Sequence, residues 1–255
     1  MKQVTWYSLI ITFVICAALQ TMVFMYARTS RSFLHFWIPF FVVCAILVSP
    51  LLNVFFYVFR TLWPFYSQQP QGFIAAFLSH LGGAGLMEEL LKAVPILVGA
   101  WVGYKAKANP TQGRNPLLSW IEVRGPLDGA IMGVFAGGGF TLLETGIQYA
   151  PNLVETLYKE TQNIGIGVAG AFLLLIPRAL GAAVGHMAYA GIFGYFIGLA
   201  VLRPKSAAKL LAIGWLASAT IHALWNSISE INPNLIHVVA AMAAVGLASV
   251  LLKAR

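Results

Sequence analysis

Apolar residues run along this chain in stretches longer than a soluble helix needs, separated by short polar segments. A helix rises 1.5 Å per residue, so about 20 mostly apolar residues cross a hydrocarbon core roughly 30 Å thick. Seven segments meet that rule: 5–26, 33–59, 72–104, 126–149, 164–202, 208–229 and 235–252. Two are too long for a simple crossing. Segment 72–104 is expected to begin as a tilted or interfacial helix, broken near Gly82-Gly83. Segment 164–202, interrupted by Pro177-Arg178, reads either as two spans or as a re-entrant stretch followed by one.

Composition supports the pattern. Only 9% of the 255 residues are charged and 59% are hydrophobic, with a mean hydropathy of +0.80. Soluble domains average about 25% charged, and so few charges cannot cover a water-facing surface. The expected fold is an all-α, polytopic transmembrane helical bundle forming one integral-membrane domain, 1–255, with a core at 72–229.

The net charge of +8 does not indicate nucleic acid, because Lys and Arg sit in short loops rather than in a stripe. Loops biased in this way are what the positive-inside rule describes. With seven spans, eleven basic residues fall on one side: Arg28, Arg31, Lys105, Lys107, Arg114, Arg124, Arg203, Lys205, Lys209, Lys253 and Arg255. Lys2, Arg60 and Lys159 fall on the other. Splitting 164–202 into two full spans would blur this bias. Seven crossings, with the N-terminus outside and the C-terminus cytoplasmic in a cell membrane, are therefore expected. The first apolar run lacks a small-residue cleavage site and reads as a retained span. Cys16 and Cys44 lie inside apolar runs and read as packing residues.

Ionisable groups inside a bilayer are costly, and each is a functional-site hypothesis by default. The third segment carries Glu88-Glu89-Leu-Leu-Lys92, in which Glu88 and Lys92 share a helix face and Glu89 is turned about 100° away. On that spacing Lys92 is expected to pair with Glu88 and leave Glu89 available. The fourth has Asp128 near its start, read as interfacial, and later Gly137-Gly-Gly-Phe140-Thr-Leu-Leu-Glu144. The fifth has Arg178 and His186. The sixth has His222-Ala-Leu-Trp-Asn226, with an imidazole and a carboxamide one turn apart. His35, His80 and His237 have no acidic companion and read as packing or interfacial residues.

Counting from the basic end of each helix, Glu88, Glu144, His186 and His222 lie roughly 24, 27, 26 and 20 Å deep. Four helices of alternating direction thus place their polar residues in one layer, away from the cytoplasmic side. That layer holds a hydrolytic inventory. A buried glutamate can take a proton from water, and an Asn or His donor can hold an oxyanion. Glu144, His186 and His222 could also bind Zn²⁺ as a His₂Glu set with Glu88 or Glu89 as base. The chain has no HExxH helix, so its spacing does not itself specify zinc. A proton- or ion-coupled transporter would use similar groups, but the inverted repeats common in such proteins are not visible.

These motifs resemble those of the PrsW-type intramembrane proteases. Glu88–Lys92 is similar to their EExxK motif, and Phe140–Glu144 to their FxxxE motif. The Arg178 to His186 segment is similar to a third block, and His222–Asn226 to an HxxxN block. The resemblance covers 88–226 in the family's order, with nothing identified in the first 70 residues. It implies a polytopic endopeptidase acting on membrane-associated proteins, with anti-sigma factors as a substrate class. Catalytic roles are implied for Glu88, Glu89, Glu144, His186, His222 and Asn226, with Lys92 and Arg178 in support. CAAX-type prenyl endopeptidases are related, but they have a histidine where this chain has Glu144, which disfavours prenylated substrates. The family has been described both as metal-dependent and as glutamic-type.

Overall fold

The computed structural model describes residues 2–108 and 115–255. Arg114, one of the eleven basic residues assigned to the cytoplasmic side, lies outside the described residues. Every described element is helical. In order they are α1 (Lys2–Ala27), α2 (Leu34–Leu47), α3 (Leu51–Phe56), α4 (Gly72–His80), α5 (Met87–Ala108), α6 (Pro116–Ser119), α7 (Pro126–Leu143), α8 (Ala150–Thr161), α9 (Ile164–Leu202), α10 (Ala207–Ser227) and α11 (Leu235–Ala254). Three π-helical turns, Tyr57–Thr61, Leu81–Leu86 and Glu144–Tyr149, follow α3, α4 and α7.

The chain is a multi-pass membrane protein, but the span count departs from seven. Among the described residues five helices are long and apolar enough to cross a membrane, and a sixth arises if Leu34–Leu47 and Leu51–Thr61 form one broken span. That pair is bent by 75° where Ser49-Pro50 interrupts the run. The remaining expected span is helical from Gly72 to Ala108, yet Glu88, Glu89, Lys92, Lys105 and Lys107 keep it below the apolar standard. The site's own charges thus hide the helix that carries Glu88, Glu89 and Lys92.

Two other expectations also change. Gly82-Gly83 does not break the third segment, because the wider π-helical turn carries the backbone through it. Pro177 does not split α9, which runs unbroken for 39 residues. Proline removes only one N–H, and in lipid an uninterrupted helix satisfies the remaining backbone groups at least cost. At about 58 Å, α9 exceeds a bilayer core, and its first half packs against α8 instead.

Helix α7 occupies the centre and is buried for almost its whole length. Small residues let its neighbours approach, as is general where apolar burial against lipid gives no drive. A Cβ on Gly133 would strike the Ala190 backbone of α9, and one on Gly137 would strike that of His186. From α1, Gln20 donates to the Phe135 carbonyl at 3.2 Å, and Phe36 and Phe40 of α2 join the aromatic core around Phe135. Cys16 and Cys44 are free thiols packed here. At one end of the bundle, Arg31 reaches Asp128, Gly198 of α9 leaves no room for a Cβ against the Gly125 backbone, and Arg255 covers Tyr26. The basic ends of α1, α7, α9 and α11 therefore gather together, as the loop charges imply.

Candidate active site

Opposite that basic end, α5, α9, α10 and the end of α7 bring seven of the expected residues into one cluster. Gly85 makes this possible on one side, because its missing Cβ lets the turn before α5 rest on the Ala219 carbonyl of α10. Glu88 and Glu89 thereby face His222. The Gly137 contact with the backbone of His186 does the same for α7 and α9, bringing His186 to Glu144. Close backbone approach is the local cause of the site.

Glu89 is fully buried, and its Oε1 accepts from both Lys92 Nζ (2.6 Å) and His222 Nδ1 (2.8 Å). Lys92 is also fully buried. Its Nζ lies 2.8 Å from His186 Nδ1 and 4.4 Å from the centre of the Phe140 ring. The other nitrogen of His186, Nε2, is 3.1 Å from Glu144 Oε2. Arg178 reaches the same oxygen at 3.6 Å and lies over Tyr149. The two imidazoles stand edge to face, 5.0 Å apart, and Tyr189 stacks on His222.

The pairing inside α5 is the reverse of the expected one. Lys92 lies 3.9 Å from Glu88 but 2.6 Å from Glu89. Both separations bring side chains together on a helix, so local spacing cannot choose. Neighbouring helices choose, because His186 and His222 hold the ammonium and the carboxylate in the plane between α9 and α10. Glu88 is left freer: its Oε2 is buried without a hydrogen bond, 3.7 Å from His222 Nε2.

Glu88 and Glu144 border a cleft of about 170 Å³, lined also by Leu47, Phe56, Met87 and Phe140. This holds several waters at ~30 Å³ each. The cleft opens where the second span is broken, between α2–α3 and α5–α7. Asn226 lies one turn beyond His222, half-buried, and makes no hydrogen bond among the described residues. Asp128 is remote, at the start of α7, where Arg31 and Arg124 hold it. Sequence reasoning missed Arg60 and Gln148 as cleft residues. Arg60 gave a weak signal as one of the few basic residues away from the larger basic group.

Glu88, His186 and His222 each offer a ligand atom within 4.8 Å of the other two. Glu144 stands outside that group, on the far nitrogen of His186. The donor chemistry fits a metal. Each histidine has one nitrogen committed to a carboxylate, His222 to Glu89 and His186 to Glu144. That is the usual outer arrangement of metal-binding histidines, and Glu88 supplies an unpaired oxygen beside them.

A family model described as PrsW family intramembrane metalloprotease matches residues 5–252, including the N-terminal region where no motif had been identified. No curated protein and no solved structure matches the chain.

Proposed function

The chain belongs to the PrsW family of intramembrane metalloproteases, and from that premise we propose that it cuts a membrane-protein substrate in the cleft beside Glu88 and Glu144. The observation that carries this reading is the pairing of two histidines with two carboxylates around the unpaired oxygen of Glu88.

Glu88, His186 and His222 would hold the metal. The bound ion, with Zn²⁺ the choice favoured by a His₂Glu set, supplies Lewis acidity toward the scissile carbonyl and toward water. Glu89 orients His222 through Nδ1, and Glu144 orients His186 through Nε2. Lys92 compensates the negative charge of Glu89, and its ammonium, 2.8 Å from His186 Nδ1, would have to leave that nitrogen for it to take a metal. Glu144 is the carboxylate most open to the cleft, with about a quarter of its side chain exposed. In this reading it takes the proton of the attacking water and returns it to the leaving amine. Arg178, 3.6 Å from the Glu144 carboxylate, balances its charge. Asn226, with its amide unengaged, donates to the oxyanion.

The layer's distance from the basic end makes the extracytoplasmic side the side of approach, with the N-terminus outside and the C-terminus cytoplasmic. Anti-sigma factors are the substrate class drawn from the family resemblance. The chain functions as one domain, 1–255.

Purified protein reconstituted with a single-pass reporter tests the reading. Cleavage is expected to fall at least about 10²-fold in Glu144→Gln and to stop when a chelator removes the metal. Metal analysis should find about one ion per chain, diminished in His222→Ala. Cleavage unaffected by chelation, with no metal bound, would sink the metal assignment.

A further inference from the structure

Arg60 is a charged residue of the cleft that has no part in the reaction described above. It sits in the π-helical turn Tyr57–Thr61 and borders the same cleft as Glu88 and Glu144. Three contacts fix its guanidinium. Nε donates to the Gly83 carbonyl at 3.3 Å, the Phe56 ring lies 4.1 Å from the guanidinium carbon, and the Tyr66 ring lies 5.8 Å from it. Tyr66 in turn rests on Gly83, where a Cβ would collide with the ring. The support is therefore built from the turn that leads directly into Glu88.

An arginine carries five N–H donors in a planar fork. Nε accounts for one, and the terminal nitrogens make no hydrogen bond or ion pair among the described residues. A guanidinium held against aromatic rings with its fork unengaged is suited to bidentate capture of a carboxylate. The other charged groups bordering the cleft, Glu88 and Glu144, are both acidic. Among the described residues lining the cleft Arg60 is the one basic side chain, so an anionic side chain entering it meets a single guanidinium there.

We propose that Arg60 is a specificity residue: it receives the carboxylate of an Asp or Glu side chain near the scissile bond and so sets which bond lies beside Glu88 and Glu144. This rests on the protease reading above. A phospholipid phosphate is a competing occupant, and the position of Arg60 favours the substrate because it shares its cleft with the reacting groups.

The test uses full-length protein in phosphatidylcholine nanodiscs and single-span peptides with a randomised segment beside the span. Cut ends are identified by mass spectrometry, and matched acid and amide peptides are then made from the preferred sequence. Wild type should favour Asp or Glu over Asn or Gln at one fixed position by about tenfold or more in kcat/KM. The difference should lie in KM, collapse in Arg60→Gln and persist in part in Arg60→Lys. Equal cleavage of acid and amide peptides by wild type would overturn the proposal. So would an unchanged preference in Arg60→Gln, or an equal fall of kcat on both peptides, which would mark an oxyanion role.

If wild type cuts nothing, the protease reading fails. Peptides retained by the immobilised protein then decide the matter, with acidic enrichment lost in Arg60→Gln supporting it and no enrichment overturning it. Should Arg60→Gln not fold, the acid-to-amide ratio of wild type alone is read with and without phosphatidylglycerol. A ratio that anionic lipid abolishes assigns Arg60 to lipid phosphate and overturns the proposal.

Discussion

Helix α7 carries Asp128 near its start and runs into Glu144 at its end, and the fold treats the two carboxylates differently. At the basic end Asp128 Oδ2 accepts from Arg31 (3.3 Å), from the Arg124 backbone (3.2 Å) and from the Arg124 side chain (3.1 Å). Arg31 is in turn occupied by the Glu122 and Ser119 carbonyls. Three donors thus converge on one oxygen of Asp128, and the cluster ties the α1–α2 loop to the start of α7. At the other end Glu144 belongs to a cluster with unpaired buried atoms: Oε2 of Glu88, Oε2 of Glu89 and Nε of Arg178. A buried polar group without a partner is expensive. Burial and charge are common to both ends. The buried carboxylate oxygens left without hydrogen bonds, on Glu88 and Glu89, distinguish the site from the clamp.

Four substitutions sharpen or break that comparison. The largest effect is expected from Glu88→Gln, which removes a proposed metal ligand and should leave no measurable cleavage of a reconstituted reporter. Its melting temperature should stay within a few degrees of wild type, since the lost charge had no hydrogen bond to lose. A large loss of stability with activity preserved would reverse the assignment of the two ends. Asp128→Ala should do the opposite. Removing one partner of a buried pair costs about 3–5 kcal/mol, read as a lower melting temperature in detergent, while the protein that remains folded keeps cutting.

Gly137→Ala probes the link between them. Overpacking a tight contact costs about 1–3 kcal/mol. Because the struck atoms are the backbone of His186, activity should fall more than stability predicts. Equal effects would show that the α7–α9 contact serves packing alone. The smallest effect is expected from Lys159→Ala. Its pair with Glu155 on α8 is short at 2.6 Å but open to solvent, and exposed pairs contribute little. No measurable shift in melting temperature is expected, which separates a short ion pair from a buried one.

Much of the molecule was legible in its residues. Long apolar runs fix a helical membrane protein, because only helices or closed barrels satisfy backbone groups in lipid. Charges inside those runs picked out Glu88, Glu89, Lys92, Glu144, Arg178, His186 and His222, and counting depth placed Glu88, Glu144, His186 and His222 in one layer. Asp128 was harder to read, because an interfacial carboxylate and a buried clamp look alike until Arg31 is brought to it from another loop. Arg60 was read only as a loop charge, since nothing near it in sequence reveals the Gly83 carbonyl or the Tyr66 ring.

The sequence by itself determined the solvent, the approximate spans and the inventory of the site. These follow from local composition and helical period, which depend on residues within a turn or two of one another. Tertiary structure decided the rest: that Lys92 takes Glu89 rather than Glu88, that Pro177 leaves α9 whole, that the second span breaks to open a cleft, and that Glu88 keeps an unpaired oxygen. Those outcomes depend on contacts between helices far apart in sequence, where i,i+3 and i,i+4 partners are equally reachable and only a neighbouring helix breaks the tie.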